Sequence, residues 1–336
     1  MRVWYDITNT PQVHFLLAID RIVKEIDEKT DSVYTAREFS ETSKLLADRV
    51  GKDEFKVIGT HRGKSYIKKV LGLFSRFSGI ASLRIDYDVS ISCGSESAVW
   101  NSFIRRKQSV AFGDNDQARQ WTYAPFVNYA LFPKAIDRSI LERQGLRNKL
   151  YQYDGFKEDI YLSYFKPDSH FLSILPFDEY VVVRPENIMA NYIRNGRVES
   201  ITPTLLKALE KKGYNILYLP RYELDKHYAD GIRNIFIPDS PINGLDACFF
   251  ATAVLTGAGT FAREAACLGI PSFSFYSGKA LLSVDKELIQ RGKMVFSRDV
   301  DILISSLTSS HREDADLSRS RGVKEEVSSI LKELLF

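Results

Sequence analysis

The sequence predicts an α/β protein built as two successive halves, each a mostly parallel sheet covered by helices. Two observations carry that prediction. Short apolar runs alternate with longer amphipathic segments, the pattern of β-α units. The alternation also breaks off near the middle of the chain and then restarts. In the first half, strand-like runs cover residues 3–7, 32–35, 56–58, 89–92 and 109–111, with helical stretches at 13–26 and 42–50. Gly51 follows the second helix as a stop signal. Residues 149–168 are rich in tyrosine, polar residues and turn formers such as Asp154-Gly155 and Lys166-Pro167-Asp168, which places a boundary near 168. Strands then resume at 180–183, 215–219, 235–237, 253–256 and 271–275, with helices at 202–212 and 261–268. Domains of residues 1–168 and 169–317 follow. Residues 318–336 form a last amphipathic helix, with Val323, Val327, Ile330, Leu331 and Leu334 on one side, expected to pack back on the first domain.

Composition agrees with this plan and excludes several function classes. The 336 residues are 44 % hydrophobic, enough for two cores. A net charge of +3 argues against a protein that binds polyanions over its whole surface. Cys93, Cys248 and Cys267 form no C-x-x-C pair, so they read as reduced core thiols in a reducing compartment, and no zinc site is expected. The chain opens on a strand-like run rather than a signal peptide. Its longest apolar stretch, around residues 247–255, is far shorter than the roughly 20 residues that span a bilayer. A cytoplasmic location is expected, with peripheral contact to the inner membrane face left open.

The most informative segment runs from Thr256 to Pro271: a strand end, the turn Gly257-Ala258-Gly259, a helix, and a Gly-x-Pro exit. Glycines allow a sharp turn and a ligand close to the main chain. Free N–H groups from Thr260 onward, together with the helix dipole, favour an anion. Glu264, one turn into the helix, suits two vicinal hydroxyls such as those of a ribose. The other reading is a packed β-α turn in which Glu264 is only a favourable helix-start charge.

The stretch from Gly257 to Pro271 resembles the donor-binding segment of GT-B proteins, especially nucleotide-sugar glycosyltransferases and UDP-N-acetylglucosamine 2-epimerases. Glu264, Ala265, Leu268, Gly269 and Pro271 fall on that pattern. The opening Asp6-Ile7-Thr8-Asn9-Thr10-Pro11-Gln12-Val13-His14 and the later Val183-Arg184-Pro185-Glu186-Asn187 resemble a broad prokaryotic glycosyltransferase-like family. The resemblance implies two Rossmann-like domains facing across a cleft. It further implies a nucleotide-diphosphate sugar, UDP-linked, as substrate, with neither a cofactor nor a metal. Against an epimerase, Val183 stands where those enzymes carry histidine, and Gly94-Ser95-Glu96 replaces their Gly-Asp-Thr.

Further candidates sit where strands end, the ligand edge of a parallel sheet. Arg184, Arg221 and Lys279 each follow a strand of the second half and are expected to join Gly257, Gly259, Thr260 and Glu264 around a diphosphate; the alternative is ordinary loop-tip charge. In the first half, His14 and Asp114 are the two candidate general bases, with structural histidine and loop chemistry as the competing readings. Asn9, Gln12 and Ser95 are candidates for the acceptor side, against turn and N-cap roles. Residues 56–85 contain no acid but carry Arg62, Lys64, Lys68, Lys69, Arg76 and Arg84 among aromatics. That segment reads as contact with an anionic membrane surface or as a solvated face; nucleic acid is the less favoured partner. A dehydrogenase is disfavoured because no G-x-G-x-x-G follows the first strand. Sugar transfer to an acceptor is the leading expectation, followed by UDP-sugar epimerisation and by nucleotide-sugar binding without turnover. Base, sugar, acceptor, stereochemistry and oligomeric state are not legible.

Overall fold

A computed structural model describes residues 1–38, 42–60, 66–187, 199–312 and 316–336; of residues 60 and 66–70 it describes the backbone. The chain forms two compact units, Met1–Tyr164 with Arg319–Phe336, and Phe165–Ser318.

The first unit holds a seven-stranded sheet in the order β3-β2-β1-β4-β5-β6-β7, parallel throughout. Its strands are β1 (Arg2–Ile7), β2 (Asp31–Glu38), β3 (Phe55–Thr60), β4 (Val89–Ser92), β5 (Gln108–Phe112), β6 (Tyr129–Pro133) and β7 (Leu150–Tyr153). The helices are α1 (Pro11–Ile26), α2 (Thr42–Val50), α3 (Tyr66–Ser82), α4 (Glu96–Ile104), the short α5 (Arg138–Leu141) and α6 (Lys157–Leu162). Trp4, Tyr5, Phe15, Phe112 and Phe132 are fully buried and form much of its core. Gly51 ends α2 at φ 100°, the left-handed conformation expected of it, and its N–H donates to the Ala47 carbonyl (3.0 Å).

The stretch read as a transition zone, 149–168, carries β7, which extends the sheet, and then α6. Every residue of α6 is buried, including Lys157, Glu158 and Asp159. Part of the cover is α12 (Ser318–Leu335), whose Val323, Val327, Leu331 and Leu334 are buried. Its Ser320 hydroxyl donates to Asp159 (2.9 Å) and its Lys324 ammonium to Glu25 (3.0 Å).

The second unit repeats the plan with a six-stranded parallel sheet, β10-β9-β8-β11-β12-β13. Its strands are β8 (Val181–Arg184), β9 (Ile216–Tyr218), β10 (Ile235–Phe236), β11 (Ala253–Thr256), β12 (Ser272–Ser274) and β13 (Met294–Phe296). Around them lie α7 (Thr202–Lys211), α8 (Gly244–Phe250), α9 (Gly259–Cys267), α10 (Ser283–Gln290) and α11 (Val300–Ser309). Val181, Val183, Leu205, Leu209, Leu255 and Phe273 lie in one core cluster, which seals α7 and α11 against the sheet. Both units therefore run outward in opposite directions from two central strands, β1 and β4 in one and β8 and β11 in the other. That reversal opens a crevice at the carboxyl ends of those strands.

Candidate functional site

In the second unit the crevice is bounded by Arg184 at the end of β8 and by the turn from β11 into α9. Thr256 pairs in register with Arg184, and the Gly257 N–H donates to the Arg184 carbonyl (3.0 Å). The Arg184 guanidinium lies 5.4 Å from the ring centre of Phe261, in the first turn of α9. That turn contains no acid, and no side chain caps the helix. The Ala258 N–H is taken by Thr256 Oγ1 (2.9 Å), while Gly259 and Thr260 are partly exposed. An uncapped helix start and a guanidinium each favour a negative charge nearby, by dipole and by charge. Glu264, half-buried, sits one turn further in. Burial pushes the Cys248 thiol of α8 well up, Glu264 adds to that rise and Arg184 opposes it, so both charges act on the same spot. Arg221 joins from the end of β9, its Nε donating to the Pro185 carbonyl (3.0 Å). Lys279 stands exposed in the loop after β12.

The two glycines of this turn differ in their surroundings. Gly257 is buried, and a Cβ there would lie 2.5 Å from Cγ, 2.6 Å from Cα and 2.8 Å from N of Glu186. Its glycine is required by chain packing against chain, before any ligand is considered. At Gly259 a Cβ would meet no backbone but would lie 3.2 Å from Arg263 Nη1, which a buried ion pair with Asp285 (2.9 Å) holds in place. Gly257 is thus packed against backbone, whereas Gly259 is partly exposed.

In the first unit, a buried polar cluster centred on Asp6 lies where β1 and β4 end. Asp6 is fully buried and accepts from Arg76 Nη1 (3.0 Å) and Nη2 (2.7 Å), and from the Thr35 and Ser95 hydroxyls. Ser95 also caps α4 by accepting from the Ala98 N–H (3.3 Å). Gln12 closes its own loop, its Oε1 accepting from the Thr8 N–H (2.8 Å) and hydroxyl (3.0 Å). Ser95 and Gln12 therefore make the cap and turn contacts that were the alternative reading for them, since short polar side chains at strand ends satisfy nearby backbone first. Asn9 differs: its Oδ1 is buried with no hydrogen-bond partner among the described residues. Arg76, expected on a basic surface, is 4 % exposed because Asp6 draws it in. Arg62 and Lys64 lie outside the described residues, as do the side chains of Lys68 and Lys69.

A family model described as "Protein of unknown function (DUF354)" matches residues 1–335. The chain belongs to DUF354. It is 27 % identical over 325 residues to the uncharacterized protein MJ0665 of Methanocaldococcus jannaschii, covering 90 % of this chain and 89 % of that one. Among solved structures, the fold resembles a UDP-GlcNAc 2-epimerase of Methanocaldococcus jannaschii in complex with UDP-GlcNAc and UDP. That match has a TM-score of 0.70 at 12 % identity, over 98 % of this chain and 99 % of the other. The glycotransferase of kitacinnamycin follows with a TM-score of 0.60 at 9 % identity, over 99 % and 97 %. The fold of this DUF354 chain is thus α/β of the GT-B type, with two Rossmann-like units.

The two base candidates of the DUF354 chain differ in state. His14 lies in the first turns of α1, and burial, aided by the Arg49 charge, pushes its imidazole down to about 4. It is neutral at pH 7. Asp114, just beyond β5, is bound to Lys157 Nζ (2.5 Å), both side chains being mostly buried. Lys157 was invisible to sequence reasoning because it opens a helix whose burial comes from distant partners. Asp6 and Glu186 were read only as parts of motifs, and Arg298, which donates to Glu186 (3.1 Å), was missed, for the same reason.

The lowered His14 pKa has a stability consequence. Between its ordinary value of 6.5 and about 4, the unfolded chain binds a proton that the folded chain refuses. Stability from this source is complete above 6.5 and is lost as pH falls through that window, by up to about 3 kcal/mol. Urea titrations from pH 7 to 4 should show a shallower loss for His14→Gln than for wild type. Parallel acid limbs would refute the assignment.

Proposed function

We propose that the second unit binds a nucleotide-diphosphate sugar, UDP-linked, and that the protein transfers the sugar to an acceptor hydroxyl. The observation that carries this reading is the uncapped start of α9 beside Arg184, with Glu264 one turn further along. The diphosphate takes the N–H groups at Gly259 and Thr260 and the charges of Arg184 and Arg221; the ribose takes Glu264. The same groups stabilise the leaving nucleoside diphosphate, whose negative charge grows as the glycosidic bond breaks. The UDP complexes among proteins of this fold support the choice of nucleotide. The first unit supplies acceptor and base. His14 is the preferred base because it is neutral at pH 7, whereas Asp114 is committed to Lys157. Asn9, whose carbonyl oxygen has no partner among the described residues, is assigned to positioning the hydroxyl. Lys279 is assigned to closing over the diphosphate.

The test is a thermal-shift panel with UDP, GDP, TDP, CDP and ADP. At 100 times its dissociation constant a ligand adds about 2.7 kcal/mol of stability. UDP should stabilise wild type, and Glu264→Ala should weaken its binding about 10- to 100-fold by removing charge-assisted bonds to the ribose. No shift with any diphosphate would overturn the reading. Epimerisation is the second reading, favoured by the named epimerases of the same fold. Incubation with UDP-GlcNAc and no acceptor separates the two: an epimerase inverts one carbon with UDP still attached, while a transferase leaves the sugar nucleotide intact.

A further inference from the structure

The first unit carries a continuous apolar face that the proposed reaction does not use. On α3, Leu71 and Phe74 are each 56 % exposed. The rings of Phe74 and Phe77 lie 6.4 and 6.2 Å from that of Trp100 on α4. Trp100 Nε1 donates to the Thr122 carbonyl (3.1 Å), which ties α4 to the turn bearing exposed Trp121. One turn after Trp100, Phe103 and Ile104 are exposed, and Phe103 meets the exposed Phe126 at 5.0 Å. Six large apolar side chains thus line one surface of two side-by-side helices and a turn.

The charge around this face is mainly basic, with Asp86 and Asp88 as exposed acids at one margin. From Phe55 to Ile85 the chain contains no acid, and α4 contains only Glu96, which accepts from the Thr122 hydroxyl (3.2 Å). Arg84, Arg106 and Arg119 are exposed at its margins. Arg105 turns inward to the Ala81 and Ile85 carbonyls (2.8 Å each), and Lys107 is held by Asp88 at 3.6 Å. No helix among the described residues is long and apolar enough to cross a membrane.

We infer that the α3–α4 face seats on an anionic lipid surface. Aromatic and aliphatic side chains enter the headgroup boundary while arginines at the margin meet lipid phosphates. A second copy of the chain fits less well, because a two-fold contact would set this basic face against itself. The inference stands apart from nucleotide binding, which belongs to the other unit. It also moves the membrane contact away from the 56–85 segment as a whole, since Arg76 is spent on Asp6.

Co-sedimentation of the full chain with phosphatidylcholine vesicles, with and without phosphatidylglycerol, tests it. Wild type should pellet with the anionic vesicles and release at high salt. Phe103→Ser with Ile104→Ser, at exposed positions that leave the melting temperature unchanged, should reduce binding at least about tenfold. Arg106→Ala should reduce it about fivefold. Failure of wild type to pellet with anionic vesicles overturns the inference, as does equal pelleting of the double variant. A dimer in sedimentation velocity that the double variant converts to monomer, with no vesicle binding by either protein, assigns the face to a second copy instead.

Discussion

Asp6→Ala should lower the stability of the first unit by about 3–5 kcal/mol, because it strands a buried guanidinium. For a unit of this size that is a fall of roughly 6–20 °C in melting temperature. Arg76 reaches Asp6 from α3 with both terminal nitrogens, and neither side chain has water to fall back on, with exposures of 5 % and 0 %. The carboxylate also accepts the hydroxyls of Thr35 and Ser95, and Thr35 Oγ1 in turn accepts from Trp4 Nε1 (2.9 Å). One deletion therefore loosens β1, β2, α3 and the α4 cap together. Asp6→Leu combined with Arg76→Met should recover much of the loss, since an apolar pair of similar volume replaces a buried ion pair at little cost. Urea unfolding of the two single variants and the double variant gives the coupling directly. A single-variant loss below about 1 kcal/mol, or strictly additive losses, would contradict a stranded charge.

The same pair shows where sequence reasoning stops. Arg76 lies in an acid-free basic run and reads as surface, because its partner is 70 residues away. Asp6 reads as part of a motif for the same reason. In α6 the spelling Lys-Glu-Asp-Ile-Tyr-Leu hides a buried helix whose Asp159 is met by Ser320, 161 residues further on. Most central strands, by contrast, are legible, since buried parallel strands appear as short apolar runs between turn formers. The start of α9 is legible too, because its signal is local: small residues, then a helix, then Gly269-Ile270-Pro271. Its partners are not local. Arg221 could be proposed only from the rule that strand ends share an edge, and Arg184 from that rule and the Val183–Asn187 resemblance; in the fold Arg221 reaches the Pro185 carbonyl, next in the chain to Arg184, while Arg184 lies over Phe261. Lys279 obeys the same rule and stays exposed, since edge position fixes where a residue starts but not where a long side chain goes.

The two glycines of the α9 turn separate fold from ligand, and Gly257→Ala should be the costlier change by far. Its Cβ would enter the backbone of Glu186, which cannot retreat. Glu186 is buried and holds the Ser200 and Thr202 hydroxyls, the Ile201 N–H and Arg298, while β8 and β11 are locked in register beneath it. Overpacking against side chains costs about 1–3 kcal/mol, and backbone on both sides removes the usual relief. A loss of at least about 3 kcal/mol in the second unit is expected, with UDP binding lost as α9 is pushed from its place. Gly259→Ala should behave in the opposite way. Only Arg263 Nη1 must give, by a few tenths of an ångström against its buried pairing with Asp285, and alanine favours a helix over glycine by roughly 0.5–1 kcal/mol, so the net change in stability should stay within about 1 kcal/mol. Its methyl group would nevertheless stand where the diphosphate meets the N–H groups of the first turn, so UDP affinity should fall about tenfold or more. Thermal melts with and without UDP on both variants read these outcomes independently. If Gly259→Ala binds UDP as wild type does, no phosphate packs on that turn, and the donor site must be sought away from the start of α9. If Gly257→Ala melts like wild type, the close approach of Glu186 is not what requires glycine there.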